Sequence, residues 1–65
     1  MGHRRYQVII HEIRGRWFVY VPELSIHTHS ESLTEAEPGA RDAISAVLGV
    51  DPRAFDIALS VKISS

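Results

Sequence analysis

Residues Ser32 to Gly49 read SLTEAEPGARDAISAVLG, the one stretch with helical periodicity in a chain otherwise rich in strand patterns. Leu33, Ala36, Ala40, Ala43, Ile44, Val47 and Leu48 recur at three- and four-residue spacing, which gathers them into one apolar stripe. Glu35, Arg41, Asp42 and Ser45 fall elsewhere on the same helix. Two start signals compete: Ser32 with Glu35 fits a capping box, and so does Thr34 with Glu37. Pro38 lacks an N–H and disfavours helical backbone at Glu37, so a cap at Ser32 would place it well inside the helix, at a cost of about 3 kcal/mol. A late or irregular start, nearer Thr34, is therefore expected. Gly49 supplies the stop.

On the N-terminal side three strands are expected. Tyr6 to His11 (YQVIIH) puts Tyr6, Val8 and Ile10 on one face and Gln7, Ile9 and His11 on the other. Glu12 to Arg16 holds a glycine among charges and suits a hairpin turn. Trp17 to Val21 (WFVYV) is β-branched and aromatic throughout, and Pro22 ends it because proline cannot donate to a ladder. Ser25 to Ser30 (SIHTHS) is short and polar, as edge strands often are. Beyond the helix, Asp51-Pro52 opens a short turn through Phe55. Asp56 to Ile63 then alternates, with Ile57, Leu59, Val61 and Ile63 on what is expected to be a buried face. The order β-β-β-α-β defines an α+β domain. The crossover helix returns strand four beside strand one, and a mixed four-stranded sheet of order 3-2-1-4 with the helix on one face satisfies these constraints.

Sixty-five residues make a single domain, 1–65, with an ordinary apolar fraction of 45%. Below about 70–80 residues a lone core rarely supplies more than about 3–5 kcal/mol, and small domains add disulfides, metals or oligomerisation. Cysteine is absent, which removes disulfides and thiolate metal sites. The net charge of −1 shows no global basic bias of the kind that drives nonspecific nucleic-acid binding. No apolar run reaches the roughly 20 residues of a membrane span, and a cytoplasmic location is expected.

The residues Tyr6-x-Val8-x-Ile10, Gly15-x-Trp17-x-Val19-x-Val21-Pro22-Glu23-Leu24, Ser32-Leu33-x-Glu35-Ala36 and Ala40-Arg41-x-Ala43-Ile44 occur in an order and spacing that resemble the HicB antitoxin domain. The similarity runs from about Tyr6 to Leu48. It implies a partial RNase-H-like β-β-β-α-β fold and a role in binding and neutralising a small HicA-type RNase toxin. The family's Pro-Gly pair after V-P-E-L and its glycine before the helix cap are replaced by Ser25-Ile26 and Glu31, so the turn into strand three is expected to differ. Many members add a C-terminal DNA-binding module. The 65 residues leave no room for one after strand four, and DNA binding is not expected.

Catalytic and metal sites are not expected, nor is a cofactor. His27-x-His29 would place two imidazoles on one face, about 6.6–7 Å apart, without a recognised third ligand. Glu12, Glu23 and Asp42 lie on separate elements and do not form the carboxylate cluster that two-metal phosphodiester cleavage needs. His3, Arg4 and Arg5 fall at one end of the first hairpin, and Arg14 and Arg16 at the other, so no single basic patch is expected. The aromatic second strand carries the most information. Trp17, Val19 and Val21 face one way and Phe18 and Tyr20 the other, with Ile9 apolar on the second side of strand one. One helix can cover only one face. The uncovered row, either Phe18 and Tyr20 with Ile9 or else Trp17, Val19 and Val21, is the expected surface for self-association, most simply as a dimer, or for a protein partner. The alternative to an antitoxin is an orphan oligomeric binding or regulatory domain without a toxin.

Overall fold

The computed structural model of the chain describes residues 4–63, so His3 lies outside the described residues. The elements are β1 (Arg4–Ile13), β2 (Arg16–Val21), a 3-10 turn (Pro22–Leu24), β3 (Ile26–Ser30), α1 (Leu33–Leu48) and β4 (Phe55–Ile63). The sheet order is β3-β2-β1-β4. β2 is antiparallel to both β1 and β3, and β4 is parallel to β1. This is the expected mixed sheet, with α1 on one face.

Short-range chemistry sets each junction. Arg14 and Gly15 both adopt positive φ, 53° and 82°, and close the β1–β2 hairpin as a two-residue turn whose twist matches its strands. The Glu12 carboxylate accepts the Gly15 backbone N–H at 2.6 Å. That turn is tighter than the expected Glu12–Arg16 loop, because Glu12 and Ile13 pair with Trp17 and Arg16. β3 begins one residue later than expected: Ser25 turns left-handed at φ 53° and closes the 3-10 turn with its N–H on the Pro22 carbonyl.

The helix start departs from expectation. Ser32 is the cap, its Oγ accepting the Glu35 N–H at 3.3 Å, and Pro38 sits inside the helix. The earlier start gives the backbone N–H of Ala36, the first buried residue of the stripe, a partner in the Ser32 carbonyl at 3.1 Å. Pro38 itself is exposed, so the carbonyl it leaves without an intrahelical donor lies on the water side. Gly49 closes the helix at φ 68°, donating to the Ser45 carbonyl, and the Ser45 hydroxyl reaches the Val50 carbonyl.

The core comprises Tyr6, Val8 and Ile10 from β1, Val19 and Val21 from β2, Ile26, the three helix residues Ala36, Ala40 and Ile44, and Phe55. Val8, Ile10, Val21 and Ile44 are the largest fully buried side chains. Each contributes about 1.5–3 kcal/mol by leaving water. Tyr6 and Phe55 meet edge to face at 5.8 Å. Among the described residues no polar or charged side chain is buried. The alanines let α1 lie close over β2 and β3. β4 lies outside that cover. Phe55 is buried and Ile57 half-buried, but Leu59, Val61 and Ile63 are 42%, 44% and 68% exposed. The expected buried face of strand four is thus buried only at its beginning.

Candidate functional site

Alternation along the strands sends two sets of side chains in opposite directions, and register makes each set into rows. On the side away from the helix, Ser60, Ile9, Tyr20 and His27 form one row across four strands, and Lys62, His11, Phe18 and His29 form the next. Arg5 and Gln7 lie toward one end of this face, Ile13 and Arg16 toward the other. Phe18 is 40% exposed, Tyr20 36% and Ile13 39%, while Ile9, cross-strand from Tyr20, is half-buried. The face therefore has an apolar centre that folding leaves in water.

Of the expected surface residues, Ile9, Phe18 and Tyr20 come together here. Trp17 does not. It alternates to the helix side, opposite Glu12 and Ser30, and is half-buried against the core. Strand parity separated Trp17 from Phe18, and the helix's position decides that Trp17 is the covered one.

His27 and His29 both point to the open face, as expected for alternate residues. Their environments differ. His27 stacks on Tyr20, with ring centroids 4.4 Å apart and planes 28° from parallel. His29 instead lines a shallow hollow of about 430 Å³ with Gly15, Arg16, Phe18, Ser30 and Glu31. Among the described residues no group of three or more His, Cys, Asp or Glu side chains is arranged to hold a metal ion. Glu12 caps the hairpin turn, Glu23 pairs with Arg4 at 2.6 Å, and Asp42 is exposed on the helix. These three carboxylates are not brought together.

The rim is basic. Arg5, Arg16 and Lys62 lie around the apolar centre, against two carboxylates, Asp56 beside Arg5 and Glu31 at the His29 hollow. The perturbed titrations lie off this face and have surface causes. Arg4 is pushed upward chiefly by its hydrogen bond to Glu23, and Asp51 downward chiefly by the Arg53 backbone N–H, then by the Arg53 side chain. Neither group lies in a cleft, where a shifted pKa would point to acid–base chemistry.

Arg41 has a structural task that sequence periodicity did not reveal. From the half-buried flank of α1 its guanidinium donates to the Pro52 carbonyl at 2.8 Å and the Phe55 carbonyl at 3.1 Å, and lies 5.6 Å from the Phe55 ring centroid. It ties the helix to the entrance of β4. An arginine three residues before a buried isoleucine reads as solvated surface unless the turn that follows the helix folds back on it.

No family model, curated protein or solved structure matches this chain. Among the described residues no helix is long and apolar enough to cross a membrane.

Proposed function

We propose that the chain is a HicB-like antitoxin domain, without enzymatic activity of its own, that works in the cytoplasm by stoichiometric binding to a small HicA-type RNase toxin. The observation that carries this reading is the open sheet face, where Phe18 and Tyr20 stand exposed beside Ile9 on a rigid strand pair. Exposed aromatics backed by a sheet supply large contact area with little rotamer freedom to lose, which is the usual character of binding anchors. The motif order Val21-Pro22-Glu23-Leu24, Ser32-Leu33-x-Glu35-Ala36 and Ala40-Arg41-x-Ala43-Ile44 supports the family.

The test is co-expression with the product of the neighbouring gene. The wild-type chain should co-purify with it at fixed stoichiometry and relieve its toxicity. Phe18→Ala/Tyr20→Ala should abolish both while keeping the fold, since neither ring is in the core. A neighbour unrelated to a small RNase, or full rescue by the double variant, would sink the proposal.

The basic rim favours a second reading, an orphan regulatory domain whose open face takes an acidic partner. RNA-binding clefts are themselves basic, so Arg5, Arg16 and Lys62 match a carboxylate-rich surface better than such a cleft. Binding that survives loss of the toxin gene and weakens steeply with salt would select this reading.

A further inference from the structure

The two edges of the sheet are unlike. β3 is five residues long, is entered through a proline-initiated turn and carries His27, Thr28, His29 and Ser30. These are the short, polar features that keep an edge from pairing. β4 is nine residues long and ends the sheet on the other side. It has no proline and no charge on its helix-side face, where Leu59, Val61 and Ile63 project beyond the cover of α1. One side of its backbone pairs with β1, and the other presents unpaired N–H and C=O groups beside an exposed apolar row.

We infer that β4 is the dimer interface, pairing antiparallel with β4 of a second copy about a twofold axis at Leu59. The sequence of the strand is self-complementary in that register. Phe55 meets Ile63 of the second copy, Ile57 meets Val61, Ala58 meets Ser60 and Leu59 meets Leu59, so all nine residues are paired. A twofold through one residue pairs positions of equal parity. The Leu59, Val61 and Ile63 rows of both copies therefore join on the helix side, between the two helices. On the open face, Asp56 falls opposite Lys62 of the second copy, twice by symmetry. Asp56 already lies beside Arg5, so each carboxylate would sit between two cations. Moving the axis to Val61 would pair only five residues and leave Asp56 without a counterpart.

The sheet becomes continuous over eight strands and isologous, which closes at two subunits. The interface lies apart from Phe18 and Tyr20, so the dimer would present two open faces side by side. This goes beyond the proposed function and does not depend on it.

Sedimentation equilibrium and light scattering of the purified chain test the inference. The wild type should weigh twice its 7.3 kDa chain mass across the micromolar range. Lys62→Asp or Asp56→Lys alone makes both symmetric cross-strand pairs repulsive and should weaken the dimer about tenfold. The double swap Asp56→Lys/Lys62→Asp sets a second cation beside Arg5 within each copy but re-forms both pairs across the interface, so it should bind more tightly than either single variant, a rescue specific to this register. Val61→Lys should give a folded monomer, its circular dichroism unchanged, because Val61 lies outside the core. A monomeric wild type would overturn the inference. So would a dimer that survives Val61→Lys but dissociates on Phe18→Ala, or a double swap that fails to rescue.

Discussion

Replacing Pro38 by alanine should raise stability, and by an amount that reports where the helix begins. With Ser32 as cap, Pro38 is the sixth of sixteen helical residues. Its N–H would have bonded the Thr34 carbonyl, and its ring crowds that group instead. A proline at such a position costs about 3 kcal/mol relative to alanine. Against this, proline stiffens the unfolded chain, which is worth about 0.4–1 kcal/mol. The net gain for Pro38→Ala is therefore about 2 kcal/mol. At about 4–8 °C per kcal/mol for a domain of this size, Tm should rise by about 8–16 °C. Thermal and urea denaturation followed by circular dichroism measure it, with the cap variants as controls. Ser32→Ala should cost about 1 kcal/mol through the lost bond to the Glu35 N–H. Thr34→Ala should be neutral or slightly stabilising, since Thr34 is exposed within the first turn. An unchanged Tm for Pro38→Ala, combined with a loss for Thr34→Ala, would refute the argument and move the helix start to Thr34.

Other outcomes follow from the same structure. Gly39→Ala should add about 1 kcal/mol, because a Cβ there meets nothing within 4 Å and the residue is helical; a loss in urea titration would contradict that environment. Gly15→Ala meets open space too, but its φ of +82° is strained for any other residue, so a loss of about 1–2 kcal/mol is expected. Arg41→Ala should cost about 1.5–3 kcal/mol by removing charged donors from the Pro52 and Phe55 carbonyls, with Arg41→Lys recovering only part, and an unaffected midpoint would show that the clamp adds nothing. Asp51 has a depressed folded pKa, so its charge stabilises the fold above its unfolded value of about 4, and that contribution disappears as pH falls through the lower folded value. The Tm difference between wild type and Asp51→Asn should accordingly be present at neutral pH and vanish in strong acid; a difference that grew on acidification would reverse the sign.

The strand order could be read from the sequence because each constraint was local. A two-face alternation, one helix and the crossover rule leave β3-β2-β1-β4 as the simple solution, and register places Ile9, Phe18 and Tyr20 together. What periodicity could not report was coverage. Leu59, Val61 and Ile63 alternate as regularly as Val8 and Ile10, yet the helix shields only the latter pair. Alternation says which residues share a face, and the helix's lateral position says whether that face is dry. The same lateral position, invisible to strand parity, puts Trp17 on the covered side. The helix start was not legible because the local cost of Pro38 is visible in the sequence, whereas the partner that the Ser32 carbonyl gives the N–H of buried Ala36 is not.

The parallel pairing of β1 with β4 also sets a timetable. Arg4 is partnered with Phe55, and Glu12 with Ile63, so β1 waits for β4. Until β4 emerges, the β1–β2–β3 meander can form on its own, with β1 as an open edge. Closing that edge requires contacts between residues far apart in sequence, the slow kind of step in folding. A nascent chain stalled before residue 55 would therefore expose β1 to any other strand within reach, an opening for misassembly that the finished sheet no longer has.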